Sequence, residues 1–279
     1  MSNADRLPFV EAELNYLAPM SERPRYYAYE PEPGEPRSNL EPEPHLMRIH
    51  DLRPISAELD LDVQGFALVE QRSAVRDFWD DEEVRAVYYP EAERFIKEHT
   101  GAARVFIFDH LQRRRVAGLQ DRSRSGPRQP AGRVHVDHTA RSGPQRVRDL
   151  MGEEAEGLLK NRFAIINLWR PIRGPVLESP LALCDAQSLE EENLIAGDLK
   201  YPDRTGETYS ITYNPNQRYY YFPKMQADEA VLIRCFDSAL KGAHRFSAHT
   251  GFDDPTSPAD APPRESLEVR TLVFFPPGA

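Results

Sequence analysis

The sequence has few cysteines and no long hydrophobic run. Cys184 and Cys235 are the only cysteines among 279 residues, and each lies inside a short apolar run. We therefore expect both to be reduced core residues, as is typical of a cytoplasmic protein. The longest apolar runs, such as 163–166 and 230–233, are far shorter than the ~20 residues of a membrane-spanning helix. We predict no membrane segment, and the first residues do not show the pattern of a secretory signal.

The sequence also has fewer basic than acidic residues. The 35 lysine and arginine residues against 45 aspartate and glutamate residues give a net charge of −10. Because phosphate binding needs a basic face, this balance argues against a nucleic-acid partner and an anionic membrane surface. The Arg-rich stretch at 112–133 is the exception. We interpret it as a mobile loop or, alternatively, as a lid that supplies cations to an acidic ligand.

Proline and short β-type segments dominate what is present. The chain has 25 prolines, and proline interrupts helices and central strands. Turn-rich connections separate many strand-like segments, with helices predicted only at 77–100 and 145–159. The pattern favours a mainly β fold, a sandwich or barrel with flanking helices. We expect residues 1–46 to form an extended Pro/Glu-rich arm that packs on the core, and 47–279 to form a single domain.

The sequence His135-Val136-Asp137 is the main candidate for a metal site. Side chains two residues apart in a strand point to the same face, so this histidine and aspartate can bind one ion together. His249, after the apolar strand predicted at 231–236, is available as a third ligand. Two histidines and one carboxylate form the facial triad of non-haem Fe(II) oxygenases, which leaves positions open for a co-substrate and O₂.

Arginines follow the distal histidine at positions suited to a dicarboxylate co-substrate. The far carboxylate of 2-oxoglutarate needs a fixed cation, and arginine binds carboxylates through two hydrogen bonds. Arg264 and Ser266 share one face of the predicted strand, and Arg270 lies further along that face. The serine hydroxyl favours Arg264, but the sequence leaves both arginines open. In the alternative interpretation they pair with nearby acidic residues such as Glu265 and Glu268.

The whole pattern resembles a family of hydroxylase/desaturases from fungal and bacterial secondary metabolism, which includes gibberellin-desaturase-like and cephamycin-hydroxylase-like proteins. The resemblance covers nearly the entire chain. Its motifs are His135-Val136-Asp137, Trp169-Arg170-Pro171-Ile172-Arg173-Gly174-Pro175-Val176, Ser179-Pro180-Leu181-Ala182-Leu183-Cys184-Asp185, Tyr220-Tyr221-Phe222-Pro223-Lys224-Met225, Phe236-Asp237-Ser238, His249-Thr250-Gly251-Phe252-Asp253-Asp254-Pro255 and Pro263-Arg264-Glu265-Ser266.

This resemblance implies a double-stranded β-helix, or jelly-roll, core and an Fe(II)/2-oxoglutarate-dependent dioxygenase. Such an enzyme hydroxylates, desaturates or otherwise oxidises an unactivated C–H bond of a small-molecule natural product, giving succinate and CO₂. Carried over to this chain, the family's metal ligands fall on His135, Asp137 and His249. The resemblance leaves the substrate and the oligomeric state, monomer or homodimer, undetermined.

Five further residues are candidates for the pocket or for substrate contacts, and one of them, His110, matches the family's pattern. Tyrosines in strands are usually core residues, and a histidine after a strand is often a buried hydrogen-bonding group, so each has a structural alternative. The five candidates are Tyr213, Tyr220, Tyr221, Arg170 and His110.

Three other functions remain open from the sequence. The first is a cupin-like non-haem iron enzyme that does not use 2-oxoglutarate, for which neither Arg264 nor Arg270 would reach the metal pocket. The second is a non-catalytic partner protein of a biosynthetic enzyme, which predicts a broken triad. The third is a nucleic-acid demethylase of the same superfamily, against which the net charge argues.

Overall fold

Two β-sheets form the centre of the fold in this computed structural model, which describes residues 6–119, 121 and 127–278. The described part of the larger sheet contains nine strands. In spatial order these are β1 (Phe9–Leu17), β3 (Pro42–Asp51), β11 (Tyr219–Tyr221), β8 (Leu181–Cys184), β13 (His249–Gly251), β6 (His135–Val136), β10 (Thr205–Ile211), β9 (Leu194–Lys200) and β2 (Arg25–Tyr27). The predicted double-stranded β-helix is confirmed by this architecture together with the structural comparison below.

The smaller sheet supplies the opposite wall. Its described strands, in spatial order, are β4 (Phe66–Glu70), β12 (Glu229–Asp237), β7 (Phe163–Pro171), β14 (Glu265–Phe274) and β5 (Arg104–Arg114). The helices are α1 (Asp81–Glu83), a π-helical turn (Val84–Tyr88), α2 (Tyr89–Thr100), α3 (Ser142–Met151) and α4 (Ala155–Leu158). Pro90 lies in the first turn of α2, where proline is tolerated. None of the described helices is both long and apolar enough to cross a membrane.

Strand β14 lies between two hydrophobic clusters, and its side chains point alternately into one and the other. Leu272 and Phe274 belong to the cluster between the sheets, whereas Leu267 and Val269 belong to the cluster that also contains residues of α2. Since successive side chains in a strand point to opposite faces, the even-numbered residues of β14 face inward. This alternation positions the polar residues described below.

The N-terminal segment belongs to the sheet. Strand β1 pairs with β3 along its whole length, from Phe9 opposite His50 to Leu17 opposite Pro42. Strand β3 crosses the predicted boundary between 1–46 and 47–279, so that division stays a prediction. Alternate side chains of β1 are buried, because its inner face packs on the core.

The Arg-rich stretch is not entirely a loop. Strand β5 extends through Arg114 and pairs Arg113 with Ser266 of β14, so the loop predicted to start at 112 begins later. Residues 120 and 122–126 lie outside the described residues. Cys184 and Cys235 are buried free cysteines, as predicted.

Glu207 of β10 joins three elements through one buried carboxylate. Its oxygens accept hydrogen bonds from Arg141 and Arg23, each at 2.6 Å, and from the hydroxyl of Thr139. Burial would raise the pKa of Glu207, but these three donors together lower it to about 2. The carboxylate therefore holds the start of α3 and the N-terminal segment against the sheet.

We predict that Glu207→Gln destabilises the fold by about 2 kcal/mol, since each hydrogen bond to a charged group contributes on that order. The melting temperature should fall by roughly 4 °C at pH 7. Because the folded-state pKa lies below the ordinary 4.5, the stabilisation is present above that pH and is lost as the pH falls towards 2. Thermal melts across this range should therefore show the two proteins converging in acid. Glu156→Gln, which removes an exposed ion pair with Arg148, is the control and should change stability little.

Candidate metal centre

Three side chains from distant parts of the chain meet on the inner face of the larger sheet. His135 of β6 pairs directly with His249 of β13, and their ring centroids are 4.6 Å apart. Asp137 follows β6, with Oδ1 3.5 Å from His135 Nε2. One ligand atom from each of the three residues lies within 4.8 Å of the others. This spacing suits three ligands on one face of a single ion.

Backbone carbonyls fix the protonation of both imidazoles. His135 Nδ1 lies 2.8 Å from the carbonyl oxygen of Arg133, and His249 Nδ1 lies 3.2 Å from that of Ser247. Because a carbonyl only accepts hydrogen bonds, each Nδ1 carries the proton and each Nε2 keeps its lone pair. Burial and the neighbouring His249 lower the pKa of His135, which favours the neutral, metal-binding form. The donor set therefore fits a divalent metal ion.

Asn167 of β7 orients the carboxylate ligand. Its side-chain amide donates to Asp137 Oδ2 at 2.7 Å, which leaves Oδ1 for the ion. Burial alone would raise the pKa of Asp137, but the adjacent His135 and other cationic groups lower it well below its ordinary range. Asn167 itself is fully buried. Sequence reasoning missed it, although a polar residue inside the apolar run 163–169 was a usable signal.

We predict that Asn167→Ala weakens Fe(II) binding by roughly tenfold to a hundredfold, the usual effect of losing a residue that orients a metal ligand. Equilibrium metal titration of the purified protein measures this effect, and a thermal melt reports whether the fold survives. Asn216→Ala, at an exposed turn, serves as the control and should bind Fe(II) like the wild type. Unchanged affinity in Asn167→Ala would show that Asp137 needs no such support.

Arg264 lies on the same inner surface and has few partners. It is 4% exposed, Nη1 donates to the carbonyl oxygen of Ser179, and the guanidinium carbon lies 5.6 Å from the ring centre of Trp169. Its Nε has no hydrogen-bond partner, and no carboxylate of the described residues forms an ion pair with it. Burial and the charges of Arg113 and Arg115 lower the pKa of Arg264 to about 9. A buried cation in this situation favours an anionic ligand.

Arg270 differs because it is already paired. Its guanidinium makes two hydrogen bonds of 2.6 Å with the carboxylate of Asp109, the residue opposite it on β5. Burial would lower the pKa of Arg270, but the negative charges of Asp109 and Asp137 raise it. The bidentate pair occupies the Nε/Nη2 edge of the guanidinium and already supplies a carboxylate that balances its charge.

Two further inward residues complete this surface. Ser266 is 1% exposed and lies between Arg264 and Arg270 on the face of β14 that points inward. Glu268 lies on the same face, and burial together with the charge of Asp137 raises its pKa. The sequence indicated Glu268 only as a counter-ion for the arginines, but no ion pair of the described residues involves it.

A cavity of about 630 Å³ reaches the metal centre at Asp137. Its walls come from β5, α3, β14 and the segment that joins β9 to β10. Its lining combines aromatic and aliphatic side chains, including Phe108, Tyr201 and Leu150, with several charged groups. This cavity is the space that a substrate needs beside a metal at this position.

The three predicted tyrosines do not line this cavity. Tyr213 stacks on His45, with ring centroids 3.7 Å apart, and Tyr221 packs edge-on against Phe252. Tyr220 is buried in the hydrophobic cluster between the sheets. Tyr220 and Tyr221 are buried in strand β11, and Tyr213, after β10, packs partly buried against the same core. A pocket role for the three tyrosines stays a prediction.

Arg170 and His110 lie on the other side of the smaller sheet. Arg170 points away from its inward neighbour Trp169 and donates to Gln71 Oε1 at 2.9 Å. His110 bonds to the hydroxyl of Tyr89 through Nδ1 at 2.9 Å. Both side chains lie on the face of the smaller sheet that the helical layer covers, where the guanidinium carbon of Arg170 is also 5.3 Å from the ring centre of Tyr88. Their substrate contacts stay a prediction. The sequence shows that alternate side chains of a strand lie on opposite faces, but it does not show which of the two faces points to the metal.

Comparisons with known proteins agree with this geometry. A family model described as an oxidoreductase/YMDC permease-like domain matches residues 14–274. The Fe(II)/2-oxoglutarate-dependent dioxygenase nvfI of Aspergillus novofumigatus is 33% identical over 274 residues, which cover 95% of this chain and 96% of that protein. The hydroxylase/desaturase efuI of Hormonema carpetanum is 31% identical over 299 residues, covering 99% and 98%. A solved structure of the iron and alpha-ketoglutarate-dependent endoperoxidase NvfI superposes with a TM-score of 0.86, at 31% identity, over 96% of this chain and 98% of that one.

A jelly roll with two histidines and a carboxylate on its inner face defines a non-haem iron oxygenase. The chain belongs to the family of Fe(II)/2-oxoglutarate-dependent dioxygenases and hydroxylase/desaturases of fungal natural-product biosynthesis. The family, the fold and the enzyme class predicted from the sequence are therefore confirmed.

Proposed function

We propose that the protein holds Fe(II) through Nε2 of His135, a carboxylate oxygen of Asp137 and Nε2 of His249. In this role it is a 2-oxoglutarate-dependent oxygenase that oxidises an unactivated C–H bond of a small-molecule natural product. The observation that carries the proposal is the meeting of these three ligand atoms within 4.8 Å. When bound, the iron and 2-oxoglutarate supply the oxidising chemistry with O₂. The chain's own residues bind and orient them.

We assign the far carboxylate of 2-oxoglutarate to Arg264. Its guanidinium is buried, and among residues 6–119, 121 and 127–278 no carboxylate pairs with it and its Nε has no hydrogen-bond partner. Arg113 and Arg115 add positive charge around it, so binding a dianion there relieves repulsion among cations. Ser266, two residues along the same face, is positioned to add a hydrogen bond. Arg270 remains a weaker candidate, because Asp109 holds its guanidinium.

The alternative functions lose support on specific observations. An iron enzyme that does not use 2-oxoglutarate predicts no arginine near the metal, whereas Arg264 and Arg270 both face inward. A non-catalytic partner protein predicts a broken triad, whereas His135, Asp137 and His249 converge. We keep a cytoplasmic location, the absence of nucleic-acid and membrane partners, and a monomer or homodimer as predictions.

Succinate formation tests this function. Purified protein supplied with Fe(II), 2-oxoglutarate and O₂ should release succinate, and addition of extracts rich in candidate natural products should accelerate the release. His135→Ala should show neither effect, because it removes one metal ligand. A wild-type protein that binds Fe(II) but never forms succinate with any substrate pool would contradict the proposal.

A further inference from the structure

The cavity beside Asp137 is lined by several arginines that the proposed binding of iron and 2-oxoglutarate does not use. Four arginines line it, and two of them are neutralised by carboxylates within the wall. Arg270 is paired with Asp109, and Arg141 is paired with Glu207. The other two lining arginines are Arg146 and Arg204. These two form no ion pair with any carboxylate in the described part of the chain.

Arg146 extends from α3 into the cavity. Its guanidinium carbon lies 4.6 Å from the ring centre of Phe108, so an aromatic face supports the cation from one side. Burial lowers the pKa of Arg146, and the charge of Arg204 lowers it further. A desolvated cation with another cation beside it is destabilised until an anion arrives.

Arg204 approaches the same space from the segment before β10. Its guanidinium carbon stacks 4.0 Å from the ring centre of Tyr201. Stacking on an aromatic ring leaves the N–H edge of a guanidinium available for an acceptor. Two aromatic-supported guanidinium groups on adjacent walls therefore form a site for an anionic group.

The remaining polar groups of the cavity do not neutralise this site. Asp149 accepts a hydrogen bond from Gln145 at 2.8 Å and is exposed. His138 also lines the cavity, but an imidazole is either neutral or cationic and therefore does not balance an arginine. Asp137 belongs to the proposed metal ligands. An anionic group of a ligand would therefore meet two cations, the part-buried Arg146 and the more exposed Arg204, that no carboxylate of the described residues pairs with.

We infer that the substrate carries a carboxylate or an equally acidic oxygen group, which binds between Arg146 and Arg204. Its apolar body then lies along Phe108 and Tyr201 and presents a C–H bond towards Asp137. This inference rests on the proposed function, since it names the class of substrate for that same site. Anchoring by one charged group fixes the distance between the anchor and the carbon that is oxidised.

Two probes that differ in a single group test the inference. Naphthylacetate and the neutral naphthylethanol share the ring system, and ligand-detected NMR titration measures both affinities for the full chain loaded anaerobically with Fe(II) and 2-oxoglutarate. Wild type should bind the acid about tenfold more tightly than the alcohol, as one charge-assisted anchor implies. Arg146→Gln and Arg204→Gln should each weaken acid binding about fivefold and leave alcohol binding unchanged.

One control variant separates this site from other cations. Arg148→Gln removes an exposed arginine of the same helix that is paired with Glu156, and it should keep the preference for the acid. Equal affinity for acid and alcohol, no binding of either, or an equal loss of the preference in Arg148→Gln would overturn the inference.

The same samples report the proposed function separately. The visible absorption band of Fe(II) with 2-oxoglutarate is recorded before each titration. A band without preference for the acid would overturn the anionic-substrate inference alone. A preference for the acid that depends on Arg146, in samples without the band, would support the anion site and contradict the iron and 2-oxoglutarate assignment.

Discussion

Replacing His249 by alanine is expected to weaken Fe(II) binding by at least about a hundredfold and to abolish succinate formation. Losing a residue that merely orients a ligand already costs roughly tenfold to a hundredfold, and this change removes a ligand itself. His249 is 3% exposed and lies opposite His135. Its loss therefore leaves the buried site with two of the three proposed ligands. Metal titration with the metal-free protein measures the loss, and succinate analysis measures the activity.

The control for this variant is His244→Ala, five residues earlier in the chain. His244 is exposed, in a short 3-10 helix, and it is not among the three converging side chains. Its replacement should leave both Fe(II) affinity and succinate formation unchanged. The assignment would be contradicted if the two variants behaved alike, or if His249→Ala still bound one Fe(II) per chain at wild-type affinity.

Replacing Arg264 by glutamine is expected to raise the dissociation constant of 2-oxoglutarate about a hundredfold while Fe(II) affinity stays the same. Hydrogen bonds to a charged group contribute about 1.5–3 kcal/mol, and about 2.7 kcal/mol corresponds to a hundredfold change. Arg264→Lys should recover only part of this affinity, because lysine keeps the charge but lacks the planar two-pronged donor. Titrating 2-oxoglutarate into the anaerobic Fe(II) protein measures its affinity for the wild type, for Arg264→Gln and for Arg264→Lys.

Arg270→Gln is the comparison that decides between the two arginines. It leaves the Asp109 carboxylate without its partner, so we expect a lower melting temperature but a change of only a few-fold in 2-oxoglutarate affinity. A larger loss of 2-oxoglutarate affinity in Arg270→Gln than in Arg264→Gln would reverse the assignment.

Local pattern in the sequence was sufficient for much of the fold. The strands around 104–109, 163–168 and 230–236 were predictable, because each is an apolar run of strand length. The metal candidates were predictable too, since a histidine and an aspartate two residues apart share a face. Their meeting with His249 depends on the pairing of β6 with β13, a contact between distant segments that no local pattern specifies.

The choice between Arg264 and Arg270 could not be made from the sequence for a structural reason. Strand β5 contains a bulge opposite β14, where the register shifts between Arg270 and Thr271. From Glu265 to Arg270 the two strands keep one register, and this register places Asp109 opposite Arg270. The neighbouring serine favoured Arg264 at the level of the sequence. The structure favours the same residue for another reason, because no carboxylate in the described part of the chain pairs with its guanidinium.

The sequence could not show which face of a strand points to the metal. Arg170 and His110 lie in β7 and β5, and the face on which each side chain lies depends on which side of the smaller sheet the helices cover. Asn167 was overlooked because a single amide inside an apolar strand has no motif of its own. Arg146 and Arg204 were not distinguished from other surface arginines, because only the folded chain brings both to one cavity.

The most direct test of the account is anaerobic absorption spectroscopy of the metal-free protein during addition of Fe(II) and 2-oxoglutarate. We predict that wild type binds one Fe(II) per chain and develops a weak visible charge-transfer band only when both are present. His135→Ala should not develop this band at matched concentrations, whereas His244→Ala should develop it in full. Absence of the band in folded wild-type protein, or an undiminished band in His135→Ala, would contradict the assignment of this site.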